Sequence, residues 1–523
     1  MDEVSVAGGL TVRVANPPHE VYDGLIAANA PTRLSEKDPA LWGSSAVEEA
    51  RIRLGWVDTF ERSRALVPML AELRDELSDL DHVVLAGMGG SSLAPEVIAL
   101  TMGKRLTVLD TTDPGQVRRA LGDRLLRTVV VVSSKSGTTI ETDSHRRAYW
   151  QAFLDAGLTE AEAGRHFVVV TDPGSPLLEV AQQMGAFVVQ ADPEVGGRYS
   201  ALTAFGLVPS ALAGVDVSEL LDQADAFAPS IASASDNPAL ALGSALATRG
   251  FAALVEDGSG IQGLGDWAEQ LIAESTGKEG RGILPVVIET PTSVGGKGEG
   301  VLTVTVGGSM FANHVAGGGV EPDVSVNGPL GAQFLCWEAA TAFAGQVLGI
   351  NPFDQPNVTE SKNNTASILD SGPPEERPSF VEGAIEGHGA ESVADAVRKL
   401  LADSGYVAVM AYLDRFADAN VAGVRELLAK AGGRPVTFGW GPRFLHSTGQ
   451  FHKGGPQVGA FLQITGAVSE DLPVPGKPYS FGVLQAAQAA GDRQALASRG
   501  RPLVRLHLTD RAAGIKQLLQ ALS

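Results

Sequence analysis

The chain has 523 residues, 44% of them hydrophobic, which suits two or three domains with well-buried cores and excludes a disordered chain. Acidic residues outnumber basic ones 61 to 40, for a formal net charge of −21; nucleic acid is excluded as a partner, because phosphate backbones need a basic surface. Cys336 is the single cysteine, the N-terminus MDEVSVAGGL has no leader pattern, and no apolar run reaches the length of a membrane span, so the expectation is a soluble, cytoplasmic protein without disulfides or membrane contact.

Residues 1–60 read as an N-terminal extension that contains one strand, LTVRVA, and helical periodicity covers 46–76. From residue 82, apolar runs alternate with helical stretches: HVVLA, RLTVLD, TVVVV, HFVVV and AFVVQ. That alternation predicts a parallel sheet covered by helices, a first αβ domain over 61–215. Residues 216–256 are Ala-rich and read as a helical connector. A second αβ domain is expected over 257–523, with strands in GILPVVIE, VLTVTVG, DVSVNG, RPVTFGW and FLQITG. The Gly-rich stretches 294–300 and 316–319 read as turns or loops, and SGPPEERP at 371–378 as a linker or surface loop.

Two strand ends stand out. HVVLAGMGGSSLAP (82–95) and TVVVVSSKSGTTIET (128–142) are apolar runs that break into small, hydroxyl-rich residues and then turn helical. Small residues let the backbone approach a ligand, and the following helix points free amides at it. Two such turns on neighbouring strands would surround one phosphate, with hydroxyls from Ser91, Ser134, Ser136 and Thr139 and a charge from Lys135. GMGGSS puts Ser92 where a dinucleotide fingerprint needs its third Gly, and it lacks a G-K-[ST] ending; neither NAD binding nor ATP hydrolysis is expected. Further on, DWAEQLIAESTGKEGRG opens as an amphipathic helix that places Gln270 and Glu274 on one face. Glu274 falls at the C-terminal end, where the helix dipole makes a carboxylate a better base. NPFDQPNVTESKNN starts a helix with Lys362 two turns in, and GPRFLHSTGQFHKGGP sets His446 and His452 around a small-residue turn. Taken one at a time, a helical Glu or Lys is more often solvated and a His after a strand more often structural. The His pair lacks a metal-site pattern.

Together these segments resemble the glucose-6-phosphate isomerase (phosphoglucose isomerase) family. GMGGSSLAP, SSKSGTTIET, GGRYSALTAFGLVP, GDWAEQLIAESTGKEGRGILP, LGINPFDQPNVTESK and FLHSTGQ each resemble one of its motifs. The chain is similar to the isomerase half of transaldolase–isomerase fusions. The resemblance implies two flavodoxin-like sugar-isomerase (SIS) αβα sandwiches with parallel sheets, joined by the helical connector. It implies interconversion of glucose 6-phosphate and fructose 6-phosphate through an enediol, in glycolysis and gluconeogenesis, with a small sugar phosphate as partner. Gly90, Ser91, Ser134, Lys135, Ser136 and Thr139 would hold the phosphate. Arg198 would stabilise the enediolate, Gln270 would orient the sugar and Glu274 would carry the proton between the first two carbons. His446 and Lys362 would open the ring. The chemistry requires neither metal nor cofactor, because a carboxylate can take a proton beside a carbonyl once the oxyanion is stabilised. A homodimer is compatible with the resemblance.

Two departures stand against the family pattern. Its usual order is Glu, His, Lys, whereas the matching residues here run Glu274, Lys362, His446. His446 is favoured for ring opening, and His314 in MFANHVAGG is the alternative. Ser136-Gly137 also replaces a Thr followed by a bulkier residue, which keeps the hydroxyl but loosens the loop. Two rival readings are an isomerase for another phosphosugar, such as mannose 6-phosphate, and a non-catalytic phosphosugar sensor. The sensor would have no need of Arg198, Glu274 and Lys362.

Overall fold

The computed structural model describes residues 3–308, 321–372 and 376–523. A hairpin comes first, β1 (Glu3–Ala7) and β2 (Leu10–Val14). The first αβ unit supplies β3 (His82–Gly87), β4 (Thr107–Leu109), β5 (Thr128–Ser133), β6 (Phe167–Thr171) and β7 (Phe187–Gln190). They form a five-stranded sheet in the order β4-β3-β5-β6-β7. All of its pairings are parallel. This is the flavodoxin-type order, which reverses direction between β3 and β5. Every residue of β3, β5 and β6 is buried, as expected for parallel strands covered on both faces.

The second half of the chain differs from expectation. Residues 257–523 do not make one sheet. β8 (Phe251–Glu256), β9 (Leu284–Val287), β10 (Val301–Gly307) and β11 (Val324–Asn327) join the N-terminal hairpin in a six-stranded sheet, β1-β2-β11-β10-β8-β9. β12 (Phe380–Glu382), β13 (Ile385–His388), β14 (Tyr406–Tyr412), β15 (Val436–Trp440), β16 (Gly459–Gly466) and β17 (Leu503–Leu508) make another, β12-β13-β17-β16-β14-β15. Each has a four-stranded parallel part wound in the same order as the first sheet. Each is extended at one edge by an antiparallel hairpin. The expected strands were in the right places, but local pattern carries no record of which sheet a strand joins.

The stretch 216–256 is more than a connector. Its helices Val217–Phe227 and Pro238–Leu246 pack on the long helix Leu330–Leu348, and it ends in β8. Residues 330–345 of that long helix are all buried. One core runs through these helices, the N-terminal region and one face of the first sheet. Another lies between the second and third sheets, with Val255 and Val286 on one side and Met410 and Phe461 on the other. No helix among the described residues is long and apolar enough to cross a membrane.

Candidate active site

The site is built at the C-terminal ends of β3 and β5. After β3 the chain turns sharply at Gly89, whose φ of +54° favours glycine. A Cβ on Gly89 would stand 2.6 Å from Gln270 Nε2 and 3.2 Å from His446 Cβ, so the turn is wedged between those two side chains. A Cβ on Gly90 would lie 1.9 Å from the Gly197 carbonyl oxygen. Gly90 is thus the point where the first phosphate turn meets the segment bearing Arg198. Ser91 is buried in the short turn before the helix Leu93–Thr101.

After β5, Ser134 Oγ and Thr139 Oγ1 lie 3.0 Å apart, and the Gly137 amide donates to Ser134 Oγ over 3.2 Å. The loop is pre-folded around its hydroxyls and ends in the helix Ile140–Asp155, with Thr139 at its N-cap. Ser136 is exposed and pairs with Thr138. Lys135 differs from expectation: its Nζ lies 2.5 Å from Asp172 Oδ2, so its charge is already compensated. Burial also pushes its pKa down.

The helix Leu264–Thr276 carries Gln270 and Glu274. Glu274 is buried, and burial raises its pKa against the opposing pull of Arg198 and His446. Arg198 Nη1 is 3.4 Å from Glu274 Oε2, and Gln270 Nε2 is 3.5 Å from the same oxygen. The guanidinium is held firmly. Its Nε donates to Ser275 Oγ at 2.8 Å, and Nη2 donates to the carbonyls of Pro352 at 2.6 Å and Asp354 at 3.1 Å. Arg198 therefore clasps the NPFDQ loop onto the base-bearing helix as a fixed charge beside the carboxylate.

His446 follows β15 in a short turn, Arg443–His446. Its Nε2 lies 3.1 Å from Glu141 Oε1. Glu141 is fully buried, and the same oxygen accepts a 2.7 Å hydrogen bond from Gln488 Nε2. Lys362, on the helix Val358–Ser371, is exposed and borders a cavity of about 270 Å³. Thr138, Thr139, Glu141, His446 and Gln488 share that cavity wall. The chain thus gathers two adjoining groups: the buried Glu274, Gln270 and Arg198, and the cavity with Thr139, Glu141, Lys362 and His446. The Gly89 turn joins them. His314 lies outside the described residues.

Several residues of this arrangement carried no assignment from sequence. Glu141 sits inside the quoted SSKSGTTIET motif, so a signal for it existed. Gln488 has none, because it comes from an Ala- and Gln-rich helix, Phe481–Ala497. Gln450 ties three segments together: its Oε1 accepts from the Asn357 amide at 3.0 Å, and its Nε2 donates to the Gly277 carbonyl at 2.9 Å. Lys278 donates to the carbonyls of Asn351 at 2.8 Å and Asp354 at 2.6 Å. Burial lowers its pKa to about 8. Its neighbour Arg198 pushes the same way. His452 hydrogen-bonds Tyr406 inside the core at 3.0 Å and is structural. Among the described residues no group of three or more His, Cys, Asp or Glu could hold a metal ion.

Part of the chain is similar to known proteins. Residues 75–256 match the family described as phosphoglucose isomerase. The chain is 37% identical over 222 residues to the "Probable glucose-6-phosphate isomerase" of Haloarcula marismortui, covering 40% of this chain and 50% of the relative. It thus spans about half the length of that curated relative. It is 28% identical over 391 residues to the glucose-6-phosphate isomerase of Streptococcus pneumoniae (strain Hungary19A-6), covering 60% of this chain and 86% of the relative. In fold it is similar to a glucose-6-phosphate isomerase from Chlamydia trachomatis D/UW-3/Cx, with a TM-score of 0.54 at 20% identity over 71% of this chain and 91% of that one. Residues 75–256 thus match the phosphoglucose isomerase family, and the chain is similar to relatives named glucose-6-phosphate isomerase.

Proposed function

We propose that the chain is an aldose–ketose isomerase that interconverts glucose 6-phosphate and fructose 6-phosphate through an enediol. The observation that carries this reading is the buried Glu274 carboxylate, its pKa raised by burial, set against Arg198 and Gln270 with His446 in electrostatic range. A base with a raised pKa takes a carbon-bound proton more readily and returns it to the neighbouring carbon. Arg198 supplies a fixed positive charge where the enediolate oxygen develops. Gln270 orients the sugar. The hydroxyls of Ser134 and Thr139, with the Gly90–Ser91 turn, take the phosphate and fix the register of the remote carbons. His446, backed by Glu141, and Lys362 move protons at the ring oxygen and the anomeric hydroxyl.

The test is a coupled assay with glucose, fructose and mannose 6-phosphates, on wild type and on Glu274→Gln. Turnover of the glucose–fructose pair is expected, with a loss of about 10²–10⁴-fold in the variant. Because burial moves the Glu274 pKa upward, the acid limb of the rate profile should lie above the ordinary carboxylate range, about 4.3: activity falls as pH drops through that raised value and the base is protonated. Turnover of mannose 6-phosphate alone would reassign the substrate. An unaltered rate in Glu274→Gln would remove the mechanism.

A further inference from the structure

The third sheet has a cavity of its own, about 330 Å³, which shares no wall residue with the cavity at Lys362. It opens where Tyr412 ends β14 and where Thr465 and Gly466 end β16. β14 and β16 are neighbours, and strand order reverses between them. Open parallel sheets bind ligands in the crevice at such a point.

The wall chemistry is that of an oxyanion site. Arg493, from the helix Phe481–Ala497, and Arg505, from β17, both grip the carboxylate of Glu376. Arg493 Nη2 is 2.7 Å from Glu376 Oε1, and Arg505 Nη1 is 3.5 Å from Oε2. Glu376 comes from a surface loop and is 35% exposed, while the arginines are 12% and 19% exposed. The carboxylate is planar and uses one oxygen on each guanidinium. Three more polar atoms around the cavity have no partner among the described residues: Tyr412 Oη, Gln485 Nε2 and Arg505 Nε. Tyr412 and Gln485 are 1% and 4% exposed. A buried donor without a partner is costly. A planar carboxylate has too few oxygens to reach them all. A tetrahedral phosphate has enough acceptor directions. Glu386 and the Thr465–His507 pair, 2.9 Å apart, also lie on the wall. They make it polar beyond the arginines and suit a ligand that carries hydroxyls.

We propose that this cavity is a second binding site for a phosphate monoester, whose phosphate replaces the Glu376 carboxylate on Arg493 and Arg505. The loop carboxylate is an internal stand-in for the ligand, held on the same two guanidiniums. The site does not depend on the catalytic reading of Glu274.

The experiment is calorimetric titration of the full chain with inorganic phosphate and with glucose 6-phosphate. Wild type, Arg505→Met, Glu376→Gln and the double variant Ser134→Ala/Thr139→Val are compared. Wild type should show two binding events per chain. Arg505→Met should weaken one of them by about tenfold or more, since charge-assisted hydrogen bonds are lost. Glu376→Gln should tighten that same event severalfold, because a competing anion is gone. Both variants should keep isomerase activity. The proposal is overturned if neither substitution alters phosphate binding, or if Ser134→Ala/Thr139→Val abolishes all of it. Should Arg505→Met fail to fold, Glu376→Gln decides alone, and unchanged affinity there overturns the site. An Arg505-dependent binding event in a chain without isomerase activity would uphold the site while the catalytic reading falls.

Discussion

Glu141 shows how one side chain settles between opposed forces. Burial drives its carboxyl toward the neutral form, yet His446 beside it, and more weakly Lys362, bring its pKa below the usual value. Its place in the first turn of Ile140–Asp155 works in the same direction, because a helix N-terminus favours negative charge. The carboxylate then fixes the orientation of the His446 ring. Glu141→Gln keeps the shape and removes the charge. It should reduce turnover of the cyclic sugar by about tenfold or more, and turnover of an open-chain analogue much less. Parallel kcat measurements on the two substrates would show this, and equal losses would mean that Glu141 serves folding rather than ring opening. The sequence made part of this legible. Glu274, Gln270, Arg198 and His446 stand in motifs that point to a site only when read together, and the fold gathers them around the Gly89 turn. Gln488 was not legible, because a Gln among Ala and Gln residues carries no mark of a partner 347 residues away. Nor was the pairing of Lys135 with Asp172, since the acid that neutralises it stands on the next strand's loop.

At the scale of elements, composition misled at FAALVE, which falls in the Ala-rich stretch read as a helical connector and is the interior strand β8; YVAVMAY, the interior strand β14, carried no reading. Ala, Leu, Met and Glu favour helices in isolation, and only burial between neighbouring strands overrides that preference. Pure Val and Ile runs such as TVVVVS held no such ambiguity. The helix Leu330–Leu348 poses a different problem. It is buried through residues 330–345 and contains Glu338, both of whose carboxyl oxygens lack a partner among the described residues. Burial pushes the Glu338 pKa well above the ordinary value. An acid with a raised folded pKa costs no stability below its unfolded pKa; the cost grows as pH climbs above that value, until the folded pKa is reached. Glu338→Met should therefore stabilise the chain by about 1–3 kcal/mol at neutral pH, with a smaller gain near pH 4. Thermal melts of both chains across that range test it, and a gain that is constant with pH would contradict the linkage.

At the scale of the whole molecule, the N-terminal hairpin completes a sheet whose other strands lie between residues 251 and 327, through the pairing of Val14 with Val324. Every residue of β2 is buried. Deleting residues 3–15 would leave β11 as an open edge beside an apolar core, a template for association. The truncated chain should melt earlier and aggregate, as read by light scattering against the full chain. Normal solubility and melting would show that the hairpin is dispensable. Nothing in LTVRVA announces this partner. A strand's own pattern says which of its faces are buried, whereas its neighbours are chosen by the packing of the whole chain.

The Glu141–Gln488 hydrogen bond also has a meaning in time. The two residues are 347 positions apart, and Glu141 and His446 are 305 apart. At ordinary rates of synthesis, Glu141 leaves the ribosome on the order of tens of seconds before either partner exists. In that interval the carboxylate later enclosed by the C-terminal helix still faces water. A chain that stops before residue 488 therefore lacks the hydrogen bond that Gln488 donates to Glu141, whatever else of the fold has formed.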